Sequence, residues 1–342
     1  MDLEKLKNWT PKARSSVCTI EAHTGGEPLR IFVAGHPELK QATVLGNRQT
    51  MKQHHDDFRK LTMWEPRGHA DMYGCIIVPA ENPTSDFGVI FLHNEGYSTM
   101  CGHAIIAITK VVMETGLVEQ AGDVTELRID TPAGTVISSY CRATDSVAFE
   151  NVESFVVALD ETVVVPGIGQ LSYDLAFGGA FYAYVDVSEV GCGCAAEDFS
   201  RLVELGKKIK QAILESREIV HPSEPELGFL YGVIFVGPAE DPANHSRNVC
   251  VFADGQIDRS PTGTGVSGRA AIHFARKQIA MGEKIIIESI IGSSFEVSVK
   301  KVGQAGHFKS ILPIVTGRAF ITGKSNFFVD PADPLQMGFL LR

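Results

Sequence analysis

The sequence predicts an α+β protein built as two similar lobes, with its site in the cleft between them. Three observations lead there. The chain has 342 residues, about twice the usual length of a single domain. Short apolar strand patterns alternate with a few helical ones, punctuated by Gly-rich turns. One device (strand, Gly turn, small reactive residue, Gly, helix) occurs once in each half.

Composition narrows the partners. Hydrophobic residues make up 44% and charged residues 21%, ordinary for a soluble globular protein with apolar material for two cores. The 41 acidic residues outnumber the 31 Lys and Arg, giving a net charge of −10. They are scattered, which argues against nucleic acid, since a phosphate backbone needs clustered Lys and Arg. A small anionic substrate stays open, because backbone N–H groups can make a pocket locally positive. Met1-Asp2-Leu3-Glu4-Lys5 lacks the basic and then apolar pattern of a secretory leader. No apolar run is long enough for a membrane helix. Seven cysteines, odd in number and without framework spacing, read as free thiols in a reducing, cytoplasmic compartment. Cys192-Gly193-Cys194 has no second Cys/His pair and reads as loop rather than zinc site.

The elements follow in order. Leu29–Val33 reads as a strand, and 47–63 as a helix from the spacing of Met51, Phe58 and Leu61. Strands are expected at 73–78 and 88–92, a helix at 102–114 stopped by Gly116, and strands at 127–129, 135–140 and 155–157. The second half repeats the style. A strand at 180–185 precedes an amphipathic helix over 197–216, carrying Leu202, Leu205, Ile209 and Ile213. Strands at 229–236 and 249–252 come before a helix at 265–280 stopped by Gly282. Further strands are expected at 285–288, 295–299 and 318–322.

The repeated device reads Phe91-Leu92-His93-Asn94-Glu95-Gly96 with Met100-Cys101-Gly102-His103 in the first half. In the second it reads Val251-Phe252-Ala253-Asp254-Gly255 with Pro261-Thr262-Gly263-Thr264-Gly265. Cys101 and Thr262 stand 161 positions apart, close to half the chain. The lobes are therefore expected at 1–160 and 161–322, with a tail of about 323–342 packing back on the first.

A helix start offers unpaired N–H groups and a partial positive charge, and two such ends facing each other can cradle one carboxylate. Gly102 and Gly263 let a ligand approach the backbone closely. A cysteine at a helix start is expected to have a lowered pKa, and its thiolate can serve as nucleophile or base. Cys75 and Cys250 fall in apolar strand patterns and Cys18 precedes one, so all three read as structural. His23-Thr24-Gly25-Gly26-Glu27-Pro28 and Glu65-Pro66-Arg67-Gly68-His69 read first as turns whose charges pair among themselves. Asp258 can cap the second helix or meet an amine. No dinucleotide or Walker fingerprint and no trusted metal spacing is present.

Taken together, Met100-Cys101-Gly102-His103, Asp258-Arg259-Ser260-Pro261-Thr262-Gly263-Thr264-Gly265, His23–Pro28, Glu65–His69 and His93-Asn94-Glu95-Gly96-Tyr97 closely resemble the proline racemase family. The likeness spans nearly the whole chain. It implies two lobes, each a curved, mostly antiparallel sheet wrapped round a central helix as in diaminopimelate epimerase. It also implies a homodimer, and a site that needs no metal, flavin, nicotinamide or pyridoxal phosphate.

Racemases of the family place one Cys on each face of the substrate's α-carbon. This chain departs there, with Thr262 at the second position. A hydroxyl is too weak an acid and base to exchange an α-proton as a thiol does. The Cys/Thr pairing resembles the branch that dehydrates trans-3-hydroxy-L-proline. In that substrate the α-hydrogen and the leaving hydroxyl share one ring face. A single base can remove the proton and, once protonated, help the hydroxyl leave. The resemblance then implies Cys101 as general base and the N–H groups of Gly102, His103, Gly263 and Thr264 as carboxylate holders. It places Asp258 and the His103 ring near the substrate nitrogen, and Thr262 in the second-base position. A 4-hydroxyproline 2-epimerase or proline racemase with one Cys is the alternative. A binding protein that kept the fold without the chemistry is the third reading.

Overall fold

The computed structural model describes residues 3–7, 9–11 and 15–341. Met1 and Asp2, from the N-terminal stretch read for a leader, and Arg342, the end of the expected tail, lie outside the described residues. The first half runs through helix α1 (Glu4–Lys7), strands β1 (Ser15–Thr24) and β2 (Glu27–Ala34), and helices α2 (Val44–His54) and α3 (Asp56–Met63). Strands β3 (Tyr73–Val78), β4 (Phe87–His93) and β5 (Tyr97–Ser98) lead into helix α4 (Gly102–Glu114), followed by β6 (Val124–Thr131), β7 (Gly134–Cys141) and β8 (Ser146–Glu150). The second half has β9 (Ser154–Val165), β10 (Gly169–Phe177), β11 (Phe181–Asp186), helix α5 (Phe199–Ser216), β12 (Leu230–Gly237), β13 (Ser246–Phe252) and β14 (Gln256–Ile257). Helix α6 (Gly263–Ala275) and strands β15 (Lys284–Glu288), β16 (Ser294–Ala305), β17 (Phe308–Gly317) and β18 (Ala319–Val329) complete it.

The pairing pattern is written twice. In the first half β1–β2 is antiparallel, β2–β3 parallel, β3–β4 antiparallel, β4–β6 parallel, and β6–β7 and β7–β8 antiparallel. The same sequence of orientations recurs as β10–β11, β11–β12, β12–β13, β13–β15, β15–β16 and β16–β17. The second ring closes through β9, which pairs with both β10 and β17. The first is bounded by β18 on β1 and by the far end of β17 on β8. Strand β17 therefore serves both rings, switching partners along its length.

Each ring encloses one helix. Helix α4 packs on β1, β2, β7, β8, β17 and β18, and α6 on β9, β10, β13, β16 and β17. An α-helix can fill a barrel only if it is apolar nearly all round. Helix α4 meets that demand with Ala104, Ile105, Ile106, Ala107, Ile108, Val111 and Val112 all buried, each isoleucine contributing about 1.5–3 kcal/mol. Helix α6 is slimmer, and its buried Arg269 is held by Ser246 Oγ at 2.7 Å and Asn248 Oδ1 at 3.0 Å.

The expected elements are largely present, with instructive departures. The helix expected at 47–63 is two helices broken at His55, whose φ of −134° and ψ of 21° leave helical geometry. Asp56 restarts the chain and holds Arg59 at 2.7 Å. Helix α6 spans 263–275 instead of 265–280, because Lys277 sits at φ +59° and ends it. Strands β1, β5, β8, β10, β14 and β17 lie outside the sequence expectations, although β8 (Val147, Phe149) and β10 (Leu171, Tyr173, Leu175) alternate buried and partly exposed positions. Asp160, the expected lobe boundary, lies inside β9 at a bulge, with φ +55°. Among the described residues no helix is long and apolar enough to cross a membrane.

The two central helices meet head to head. A Cβ added at Gly102 would stand 2.6 Å from the Gly263 Cα, and one added at Gly263 would stand 2.6 Å from the Gly102 Cα. Gly102→Ala is accordingly expected to lower stability by about 1–3 kcal/mol through forced separation of the helix ends. A urea titration checks this, and an unchanged midpoint would contradict the contact.

Candidate active site

Both helix starts are shaped by the chain that enters them. Cys101 is extended (φ −148°, ψ 109°) and its side chain caps nothing, so the thiol is free to face the cavity. Thr262, the matching residue, sits at φ +69° and ψ 97°. That is an uncommon conformation for a β-branched residue, costing about 1–3 kcal/mol. A short polar relay holds it: the Thr262 N–H donates to Ser260 Oγ at 3.1 Å, and the Ser260 N–H to Asp258 Oδ1 at 2.8 Å. Thr262 Oγ1 is buried with no hydrogen-bond partner among the described residues. The first amides of α4 and α6 have no acceptor within their own helix.

A small cavity of about 20 Å³ lies between the two helix starts. That is room for about one water and far too little for an amino-acid ring. Cys101, Gly102, His103, Asp258, Thr262, Gly263 and Thr264, the seven residues singled out in the sequence, all line it. Glu27, Tyr73, Met100, Tyr182, Tyr231, Cys250 and Phe252 line it as well. Tyr231 also lines an outer pocket of about 700 Å³ bordered by Arg48, Arg59 and Lys210. Between the two, the Tyr73 hydroxyl donates to Ser98 Oγ at 2.5 Å and Ser98 Oγ meets the Tyr231 hydroxyl at 2.7 Å.

Burial dominates the electrostatics. The Cys101 thiol is pushed well above its ordinary range by desolvation, with Asp258 and Glu27 adding to the rise. The Ala104 N–H and Tyr73 favour the thiolate but do not overcome it. The lowered pKa expected from the helix start is thus corrected: in this closed form the dipole is outweighed by loss of water. His103, with its Nδ1 3.1 Å from the Cys101 sulfur, is pushed down to about 3 by burial and is a neutral imidazole at pH 7. Asp258 rises to about 6, again by burial, against hydrogen bonds from Ser260.

Two readings of the motifs need revision. Cys250, read as structural, lines the cavity beside Thr262. Glu27, read as part of a self-paired turn, is fully buried at the cavity wall. Its Oε2 accepts the Arg259 N–H at 2.7 Å, while Oε1 has no partner among the described residues. Its Gly-Gly turn and position at a strand start gave no local hint of this, because the partner lies 232 residues away. The Glu65–His69 turn stays structural. Arg67 donates to the Gln336 carbonyl at 3.0 Å, and the Phe339 N–H donates to the Glu65 carbonyl at 2.9 Å.

Two barrels thus set their central helices head to head, with a buried thiol, an imidazole and two carboxyl groups at the junction. The chain belongs to the proline racemase family, whose model matches residues 19–340. It is 50% identical to a protein of Colwellia psychrerythraea named trans-3-hydroxy-L-proline dehydratase, over 99% of this chain and 97% of that one. It is 40% identical to one of Burkholderia multivorans named 3-hydroxyproline 2-epimerase, over 97% of this chain and all of that one. Among solved structures it resembles a hydroxyproline epimerase from Agrobacterium vitis with bound trans-4-hydroxy-L-proline. That match has a TM-score of 0.90 and 30% identity, over 97% of each chain.

Asp258 gives the site a pH signature. Its carboxyl ionises as pH rises through about 6, so a ligand bearing an ammonium should bind more tightly across that window. Titration calorimetry with L-proline should show the gain. Asp258→Asn should flatten it, and a flat profile in the unaltered protein would contradict the placement of Asp258 at the cavity.

Proposed function

We propose that this protein dehydrates trans-3-hydroxy-L-proline to pyrroline-2-carboxylate. The observation that carries the reading is the asymmetry of the two helix starts: Cys101 at one and Thr262 at the other. The Cys101 thiolate removes the α-proton. The carboxylate rests on the N–H groups of Gly102, His103, Gly263 and Thr264, which stabilise charge spreading from the α-carbon. Asp258 and the His103 ring face the substrate nitrogen. Loss of the 3-hydroxyl gives an enamine that becomes the planar imine, so no acid on the opposite face is required. Thr262 fills the second-base position. The relative named as a dehydratase at 50% identity supports the reaction.

The 20 Å³ cavity requires the site to open for entry. In this reading 1–160 and 161–322 act as two lobes, the 323–342 tail moves with the first, and substrate arrives through the outer pocket beyond Tyr231. The thiol, neutral while buried, loses its proton while the site is open to water.

Epimerisation at the α-carbon is the second reading, favoured by the relative named as an epimerase. Incubation with trans-3-hydroxy-L-proline in D2O separates the two. Dehydration gives an imine that colours with o-aminobenzaldehyde. Inverted, α-deuterated amino acid without loss of water would overturn the proposal. Cys101→Ser should lower the dehydration kcat by roughly 10²–10⁴-fold, and unchanged turnover would remove Cys101 from the mechanism.

A further inference from the structure

Hydroxide is a poor leaving group, so dehydration needs an acid at the 3-hydroxyl as well as a base at the α-carbon. The cavity wall offers few acids. His103 is a neutral imidazole, whose remaining N–H is far too weak. Tyr73 and Tyr231 converge on Ser98, and Thr262 carries only an alcohol. Asp258 is taken up by the substrate nitrogen. Cys101 receives the α-proton, but a thiol held in its protonated form by burial gives that proton up reluctantly.

Glu27 remains. It is fully buried, lines the cavity, and leaves Oε1 without a partner among the described residues while Oε2 is fixed by the Arg259 N–H at 2.7 Å. An ionised carboxylate would not leave an oxygen bare in such a place, since each bare, buried charged oxygen is costly. A neutral carboxylic acid leaves the same oxygen bare at a much lower cost, and its proton on Oε1 is then held by no neighbour at a residue that lines the cavity. The charged and titratable groups around it are Asp258, Arg259, Asp71, Cys101, Cys250 and His103. Desolvation first and Asp258 second raise Glu27 well above the ordinary carboxyl range, against the pull of Arg259. The Arg259 guanidinium lies 3.6 Å from Glu27 Oε2 and 3.4 Å from Asp71 Oδ2, so its charge is shared between the two carboxyls.

We infer that Glu27 is the general acid that protonates the departing 3-hydroxyl, a role separate from the Cys101 base. This rests on the dehydration reading above. The Cα–H bond breaks and its proton goes to the Cys101 thiolate. The electron pair becomes the C2–C3 double bond. The C3–O bond breaks with its pair on oxygen, and the Oε1 proton completes a water molecule. The protein is left with a Cys101 thiol and a Glu27 carboxylate. When the site opens to water and the product leaves, Cys101 releases a proton to water and Glu27 takes one from it, which restores both.

Trans-3-chloro-L-proline supplies the test, because chloride leaves without a proton. With trans-3-hydroxy-L-proline, Glu27→Gln should lower kcat by about 10²–10⁴-fold. Chloride release from the chloro compound should fall less than about ten-fold. Equal losses on both substrates, or none on either, would overturn the assignment. Should the variant fail to fold, the unaltered protein decides: kcat/KM for water loss should fall at high pH as Glu27 ionises, and kcat/KM for chloride release should not. The same falling limb with both substrates would overturn the role. An unaltered protein that releases chloride but never water would instead overturn the dehydration reading, and this inference with it.

Discussion

The close approach of Gly102 and Gly263 governs the rest of the site. With 2.6 Å between either glycine's hypothetical Cβ and the other's Cα, no side chain can stand between the helix ends. Both helix starts then border one small cavity, and their partial positive charges act on it together. Everything polar at the junction is arranged about that cavity. Cys101 and Thr262 immediately precede the two glycines, His103 and Thr264 immediately follow them, and Asp258 and Glu27 are brought in by the turn that enters α6 and by the start of β2. The duplicated barrels are the means of holding this contact, since each clamps its helix on several strands. Strand β17, shared by both rings, ties the two clamps together.

A second constraint is the dryness of the junction. A helix start is worth about 0.3–1 kcal/mol to a nearby anion, rising to about 2 in partly buried geometry, whereas full burial can shift a titrating group by several pKa units. Burial therefore decides which groups are charged at the junction. It leaves the thiol protonated and the imidazole neutral, and it raises the Glu27 carboxyl well above its ordinary range. Asp258, at about 6, is the carboxyl of the junction that is ionised at pH 7.

Much of the site could be read in the sequence, because the residues that build it are adjacent to helix starts. Cys101, Gly102, His103, Thr262, Gly263 and Thr264 lie on two short stretches, and the helix α4 boundaries follow directly from its apolar run and Gly116. What escaped notice was assembled from a distance. Glu27 gains its meaning from the Arg259 amide and from Asp258, both in the other half. Cys250 looked like any apolar strand residue until β13 was seen to run behind Thr262. Strand β1 and the far end of β17 pair with distant strands, β18 and β8, whereas β8 and β10 form hairpins with their neighbours β7 and β9, and the break at His55 leaves the helical spacing around it intact. The sign of the Cys101 shift also depended on burial, which no local pattern reports.

The claim that two helix ends jointly hold one carboxylate is tested most directly by a crystal structure with pyrrole-2-carboxylate. The account predicts both carboxylate oxygens within about 3 Å of N–H groups from each helix, Gly102 and His103 on one side and Gly263 and Thr264 on the other. A carboxylate held instead by Arg48 or Arg59 in the outer pocket, with the inner amides unengaged, would contradict it.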